Sequence, residues 1–336
     1  TQELRIASNG DGAFNYQFGA FYFEDQFDLD AQNKNAGAPA FATASTSSIE
    51  NTTWAVFGQG SWDVSDQLKL NAGVRYTDDE KDALHVDFSG TIPTVPINLS
   101  DDNFSWDVAL SYGTGDDSQI YGRVASGFRA PTVQDRIEDD VTITVADSET
   151  ILSYEIGYKA LWDRARFNIA GFYYVVDDMQ LVIIGGAANI TQLANADEGV
   201  GYGVEMELDY AVSENLILSG GFGYNKTEIN DSNLSGSPGP LSTPLDPVGP
   251  SGAPGDVFID GNPFQHAPEW TANFEIDYTY PLASGNELYL FSDWKFKGET
   301  NDFLYETIEF VTDTQFEGGL RLGYRNVDKN YSIGLF

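Results

Sequence analysis

The chain has 336 residues, no cysteine, 34 glycines and 14% aromatic residues, and its 17 Lys and Arg against 52 Asp and Glu give a formal charge of −35. The missing cysteine excludes a disulfide framework and thiolate metal sites. The charge excludes a surface built for nucleic-acid phosphates. Acidity is compatible with cationic ligands or divalent ions, but more often it marks a solvated surface.

The first residues, Thr1-Gln2-Glu3-Leu4-Arg5, carry no initiator methionine, basic segment or apolar run of a leader peptide, and read as the interior of a longer precursor. No apolar run approaches the roughly 20 residues of a spanning helix, the nearest being Leu181 to Ile184. Helical membrane proteins are thereby set aside, and membrane proteins that cross with strands are not.

In chain order the dominant signal is period-two alternation. Phe14, Tyr16, Phe18, Ala20 and Tyr22 alternate with Asn15, Gln17 and Gly19. Leu68, Leu70, Ala72, Val74 and Tyr76 alternate with Lys69, Asn71, Gly73 and Arg75, and Phe104 to Tyr112 repeats the pattern. Leu152 to Tyr158, Tyr202 to Tyr210 and Trp270 to Tyr278 do the same. No charge falls on the apolar parity of these strands. Lys or Arg on the lipid face of a barrel costs roughly 2 to 4 kcal/mol at the midplane, so a bilayer selects for this exclusion. A soluble sandwich also keeps charge off its core; the separate clue is aromatic, with Trp54, Trp62, Tyr76, Tyr112, Trp270 and Tyr280 near strand ends like interfacial girdles.

Connections sort by length. Short turns at Asn9 to Gly12, Asp63 to Asp66, Gly113 to Asp117, Asp163 to Arg164, Ser213 to Asn215, Ser284 to Asn286 and Asn326 to Asn330 alternate with long segments at 25–50, 78–102, 129–149, 177–199, 226–267 and 298–312. Such alternation predicts an all-β, antiparallel, up-and-down transmembrane barrel of about fourteen strands. The segment 226–267, rich in Gly, Pro and Ser, is expected to be irregular and mobile.

One stretch, Tyr121 to Arg136 (YGRVASGFRAPTVQDR), runs from a strand into Phe128-Arg129-Ala130-Pro131, where proline removes a ladder donor. Together with Ser153-Tyr-Glu-Ile-Gly-Tyr-Lys, Ala170-Gly-Phe-Tyr-Tyr, Asp178-Met-Gln, Asn195-Ala, Gly201-Tyr-Gly-Val-Glu and Ala267-Pro-Glu-Trp-Thr-Ala-Asn, it resembles the barrel of TonB-dependent outer-membrane receptors over nearly the whole chain. The resemblance implies a 22-strand barrel, of which 1–336 is a partial domain. It also implies an N-terminal plug, absent from this chain, and a TonB complex acting through that plug. Phe336 lies off the apolar parity of Tyr331, Ile333 and Leu335, so the last family strand is expected beyond it. An interior fragment of a barrel carries two unpaired edges and is expected not to insert alone as a transporter.

The function implied is energy-coupled import of a scarce nutrient, such as a siderophore complex or a carbohydrate, across the cell outer membrane of a Gram-negative bacterium. The partners implied are TonB, outer-membrane lipid and a small-molecule or metal-chelate substrate, with no cofactor and no enzymatic activity. The alternatives are a passive porin, which needs no plug, and a barrel enzyme or adhesin, which needs a catalytic constellation or appended domain. Arg129, Gln134 and Arg136 are the candidate ligand contacts at the extracellular rim. Arg75, Glu155, Lys159, Glu205, Glu207, Glu275, Asp277, Glu317 and Arg321 are expected to line the lumen, hydrating it and pairing with one another or with a plug.

Other signals weigh little. Val200-Gly201-Tyr202-Gly203 looks like a potassium filter but sits at a strand start without flanking helices. His85 and His266 are isolated, and no metal is expected. Glu138-Asp139-Asp140 lacks calcium-loop spacing. Ala146-Asp147-Ser148-Glu149 stands where the haem subgroup has Asn-Pro-Asn-Leu, which disfavours haem.

Overall fold

The computed structural model describes residues 1–33, 43–87, 94–134, 143–185, 190–239, 241–249, 255–326 and 330–336. Fourteen strands make one antiparallel sheet in which each strand pairs with the next in the chain. They are β1 (Gln2–Ala7), β2 (Phe14–Asn33), β3 (Thr43–Asp63), β4 (Leu68–Asp87), β5 (Val95–Gly115), β6 (Ser118–Arg129), β9 (Glu149–Trp162), β10 (Ala165–Gly185), β11 (Ile190–Ser213), β12 (Leu216–Asn230), β15 (Trp270–Pro281), β16 (Glu287–Lys297), β19 (Gln315–Arg325) and β20 (Ser332–Leu335). The other six form two-residue pairs in the long connections: β7 (Thr132–Val133) with β8 (Val145–Ala146), β13 (Ser235–Gly236) with β14 (Val257–Phe258), and β17 (Thr300–Asn301) with β18 (Val311–Thr312).

Alternation gives this sheet two faces. Phe18, Val74, Val108, Ile156, Leu208 and Phe274 stay exposed on one, although nothing in a water-soluble chain would leave so large a contiguous apolar surface open. Among the described residues, the hydroxyl buried on this face, Ser292, donates to the Gly319 carbonyl at 3.1 Å and accepts from the Trp294 indole at 2.9 Å. Its polar atoms are satisfied within the sheet, as a lipid-facing surface requires.

Rings cluster at two heights on the apolar face. Toward the short turns stand Trp62, Tyr112 and Tyr280, each about half exposed. Toward the long connections, Tyr76 lies 5.3 Å from Trp54 and 4.9 Å from Phe104, ring centre to ring centre, and Trp270 lies 4.5 Å from Tyr224.

Beyond this second belt the strands do not stop. The segments expected as long connections at 25–50 and 78–102 are largely strand: β2 and β3 pair from Phe14↔Trp62 to Asn33↔Thr43, and β4 and β5 pair up to His85↔Val95. The same holds at 177–199, where β10 and β11 pair to Gly185↔Ile190. What changes past the belt is the outward side chain. Tyr22 gives way to Glu24, Gln26, Asp28 and Asp30, Tyr76 to Asp78, Glu80 and Asp82, and Phe104 to Asp102, Ser100 and Asn98. Ile49, Ala83, Ile97 and Leu99 meanwhile occupy the inner parity.

The segment 226–267 is also a correction, since its described part is docked rather than loose. Ile229 and Ile259 are fully buried and pack with Leu181, Ala196 and Leu304. A tight turn at Ile259-Asp260-Gly261-Asn262 closes with Asn262 N donating to the Ile259 carbonyl at 3.1 Å. Gly261 at φ 85° supplies the left-handed third residue that such a turn demands. This segment and 298–314 form one cap on the ends of β10, β11 and β12. The Asn262 amide donates to Asp246 at 3.1 Å and to the Leu304 carbonyl at 2.9 Å, and the Tyr305 hydroxyl donates to the Ile184 carbonyl at 2.8 Å.

Candidate functional site

The polar face of the sheet and the mouth at its long-connection end are the two places where chemistry collects. At the mouth, β6 leaves β5 early. Their last pair is Trp106↔Ser126, while β6 stays paired with β9 as far as Arg129↔Glu149. The turn that follows is tied down by its main chain: the Lys81 ammonium donates to the Pro131 carbonyl at 2.7 Å and the Gln180 amide to the Ala130 carbonyl at 2.8 Å.

Arg129 itself remains open. Its side chain is 63% exposed, with the Glu149 carboxylate at 3.9 Å. Gln134 is buried, its amide nitrogen donating to the Thr191 carbonyl at 2.6 Å and its oxygen accepting from the Thr144 hydroxyl at 2.7 Å. Arg136 and the run Glu138–Asp140 lie outside the described residues.

Two residues within the motifs noted in the sequence turn out to brace this turn. Gln180 also donates to the Asp147 carbonyl at 2.9 Å, and its own backbone N–H reaches Glu149 at 2.5 Å. Asn195 donates to the carbonyls of Asp147 at 3.0 Å and Asp178 at 2.6 Å and accepts from Asp147 N at 2.8 Å. Asp178 is one of two non-glycine residues at positive φ among the described residues, and the Asn195 amide holds its carbonyl there.

The residues expected on the lumen side share the polar parity. The Arg75 guanidinium stacks over Phe21 at 5.2 Å and Phe57 at 5.8 Å and donates to the Thr77 hydroxyl at 2.9 Å. Lys159 lies 5.0 Å from the Tyr121 ring, whose hydroxyl donates to Glu155 at 2.5 Å. Glu207 accepts from Asn168 at 3.1 Å, and Arg321 lies 5.9 Å from the Phe336 ring. In register, Glu205 stands opposite Gly223, Glu275 opposite Asp293, Asp277 opposite Phe291 and Glu317 opposite Lys295.

The sequence motifs include some of the aromatic residues on this same face but do not assign them to it. Phe57 lies across Gly19, Tyr121 across Gly157, Tyr174 across Gly201 and Tyr289 across Gly323. Each glycine lets a ring from the neighbouring strand lie flat on the wall where a methyl group would collide with it. The signal lay in the lumen-parity glycines, which alternation alone treats as merely polar.

In the cap, burial and the nearby Glu306 charge push the Asp246 carboxyl above its ordinary range, against the hydrogen bonds from Glu306 N and Asn262. Glu309 is held below its ordinary range by the hydroxyl and backbone N–H of Thr243. No group of three or more metal-ligating side chains occurs among the described residues.

A family model described as TonB dependent receptor-like, beta-barrel matches residues 2–335. The chain belongs to that family. Members of this family are outer-membrane β-barrel proteins of Gram-negative bacteria. The pesticin receptor of Yersinia enterocolitica is 24% identical over 211 residues, 61% of this chain and 30% of that protein. The vitamin B12 transporter BtuB of Photobacterium profundum is 22% identical over 242 residues, 64% of this chain and 38% of that protein. Among solved structures, the ferric yersiniabactin uptake receptor FyuA from Yersinia pestis superposes with a TM-score of 0.76 at 18% identity, over 96% of this chain and 45% of that one. The copper transporter OprC gives 0.69 at 13% identity, over 96% and 48%. The chain therefore spans less than half the length of the relatives it matches. These relatives are receptors and transporters rather than enzymes, and the sheet is that of their barrel wall.

Proposed function

We propose that this barrel wall belongs to an energy-coupled importer that takes a scarce nutrient across the outer membrane, with TonB supplying the work. The observation that carries its placement in a bilayer is the change of outward side chains at the second ring belt. Below Tyr22, Trp54, Tyr76 and Phe104 the outward positions are apolar, and directly above them stand Glu24, Thr52, Asp78 and Asp102, in unbroken strands. A water-soluble sheet has no cause to change the chemistry of one face along a single strand; a bilayer boundary does. The long connections, the cap and the Arg129 turn then lie outside the cell. The short turns face the periplasm, and the polar face lines the lumen.

A small-molecule or metal-chelate substrate is the reading favoured by the relatives, whose names include ferric yersiniabactin uptake, copper transport and vitamin B12 transport. Arg129 is the foremost ligand contact at the mouth, because its guanidinium is exposed above a turn held by Lys81 and Gln180. The test is uptake of a panel of labelled ferric chelates, cobalamin and oligosaccharides by cells with and without the receptor, each with and without TonB. Uptake of one panel member that needs both is the expected result. Uptake that persists without TonB identifies a passive pore and overturns the proposal.

A further inference from the structure

Away from its two terminal strands, the sheet leaves a strand edge open within the wall itself. β6 stops pairing with β5 at Trp106↔Ser126, and β5 continues above that pair to Val95 with β4 on its other side. The turn after β6 does not run along this edge but passes behind it. Its Pro131 carbonyl meets the ammonium of Lys81, which stands opposite Leu99 on the inner parity of β4. Ladder phase decides which main-chain groups are exposed as a result. Gly113 N donates to the Gln67 carbonyl at 2.7 Å, so odd-numbered residues of β5 exchange hydrogen bonds with β4 and even-numbered ones turn theirs the other way. From Trp106 toward the short turn those groups meet β6. Above it, the main-chain N–H and C=O of Asn98, Ser100 and Asp102 have no partner among the described residues.

Donors and acceptors repeated at strand spacing are a template that the main chain of an extended peptide completes. The side chains around the edge select among peptides. On the outward parity β4 sets Asp82 beside Asn98, Glu80 beside Ser100 and Asp78 beside Asp102, and on the inner parity Asp79 stands beside Asp101. Lys81 is already committed to Pro131 and leaves these carboxylates to an incoming cation. Two strand spacings, about 10 Å, would separate an added strand from β4, and a Lys side chain reaching over the short Ser100 meets Glu80 across that gap. A second copy of the chain is the wrong occupant. Two receptors in one membrane are related by an axis along its normal, and strands tilted by about 40° then cross at about 80° instead of pairing.

We propose that the edge of β5 from Asn98 to Asp102 is a docking site for an extended, basic segment of another polypeptide outside the cell, which joins the sheet as an added strand. That the edge faces the outside rests on the proposed membrane placement; the open ladder does not.

The test is equilibrium binding and hydrogen exchange on the detergent-purified receptor, with acetyl-Lys-Val-Lys-Val-Lys-Val-Lys-amide as the probe. Saturable binding is expected, with exchange of the Asn98, Ser100 and Asp102 N–H groups slowed at least about 10-fold at saturation. The same peptide N-methylated at every main-chain nitrogen keeps its charges and offers no ladder donor, and is expected to bind at least about 10-fold more weakly. Ser100→Pro removes an N–H that faces the gap and spares the bonds to β4, so it is expected to assemble and to weaken binding by about the same factor, whereas Ser100→Ala changes it less than about 3-fold. Heat-modifiable gel mobility reports barrel assembly in each variant. Equal binding of the methylated peptide, wild-type affinity in an assembled Ser100→Pro receptor, or binding without slowed exchange at these three residues marks plain charge attraction and overturns the proposal. Absence of saturable binding to wild type overturns it as well. Because this measurement uses neither TonB nor transport, its failure leaves the import reading standing, and loss of TonB dependence leaves the binding result standing.

Discussion

The membrane boundary can be tested with two arginines on one sheet. Val108 stands on β5 midway between Phe104 in the outer belt and Tyr112 at the short-turn end, and is 42% exposed on the apolar face between Ala72 and Val124. At about 3.4 Å per residue the stretch from Phe104 to Tyr112 is about 27 Å long. Tilted by about 40°, it spans about 20 Å of height, close to the roughly 25 Å apolar band of such barrels. Val108 is then about 10 Å from either interface, deep enough that a guanidinium reaches water only with difficulty. Val108→Arg is expected to cost about 2 to 4 kcal/mol, a loss of roughly 30- to 1,000-fold in the folded-to-unfolded ratio. Asp82 lies on the same parity but beyond Tyr76, directly opposite Glu50 on β3. Asp82→Arg replaces a like-charge pair with an opposite one, so it is expected to be neutral or to stabilise by about 0.2 to 1 kcal/mol. Denaturant titration of the receptor in lipid vesicles, read by tryptophan fluorescence, measures both. A Val108→Arg receptor within about 0.5 kcal/mol of wild type, or an Asp82→Arg receptor as damaged as Val108→Arg, would refute the boundary.

Further expectations concern the cap and the mouth. Asn262→Ala removes the donor shared by Asp246 and the Leu304 carbonyl and leaves the buried Leu304 carbonyl underserved, while half-buried Asp246 keeps the Glu306 N–H, so the described parts of cap segments 229–264 and 300–312 are expected to exchange hydrogen together and faster, by about 1 to 3 kcal/mol of opening free energy. Independent exchange of the two segments would show that they are not one unit. Asp246 has its folded pKa raised by burial, so its contribution to cap stability is fully present below the ordinary carboxylate range and is lost as pH rises through the raised value. Cap opening, corrected for intrinsic exchange, is therefore expected to become easier from about pH 4 upward, and Asp246→Asn to flatten that dependence. Arg129→Ala is expected to abolish uptake with normal barrel assembly, and failed assembly would instead mark Arg129 as part of the scaffold.

The strands between the two ring belts were legible because lipid on one side and water on the other, as the proposed placement has it, force strict alternation on them. All seven short turns fall where composition put them, the described residues of the last included. The extensions of β2 to β5 were not legible, since above the belt polar side chains replace most of the outward apolar ones, Leu84 being an exception, while the ladder needs only main-chain donors and acceptors. Asp78 facing Asp102 across β4 and β5 reads locally as a loop, yet the two are paired. The cap was hidden for another reason: Leu181, Ile229, Ile259 and Leu304 meet from four distant segments and leave no period behind. Phe172 and Tyr174 were read only as part of the Ala170-Gly-Phe-Tyr-Tyr motif, because they stand on the polar parity and the glycines of β11 are what tell how their rings lie.

At the mouth a structural motif can leave one side chain open for the contact proposed above. Gln134, Gln180 and Asn195 each spend their amides on main-chain carbonyls, and Lys81 spends its ammonium on Pro131. A side chain with its donors so occupied gains nothing from a ligand unless an internal bond is first broken, at a cost of about 0.5 to 1.5 kcal/mol each. Arg129 has five N–H donors and, among the described residues, a single carboxylate partner at 3.9 Å, so binding capacity is still available. The surrounding amides hold the turn, and the turn holds a guanidinium at the rim. On this division Phe128-Arg129-Ala130-Pro131 ends a strand and launches a loop through its main chain, and under the proposed function the Arg129 side chain, which the main-chain bonds do not consume, is the one offered to a ligand among the described residues of the turn.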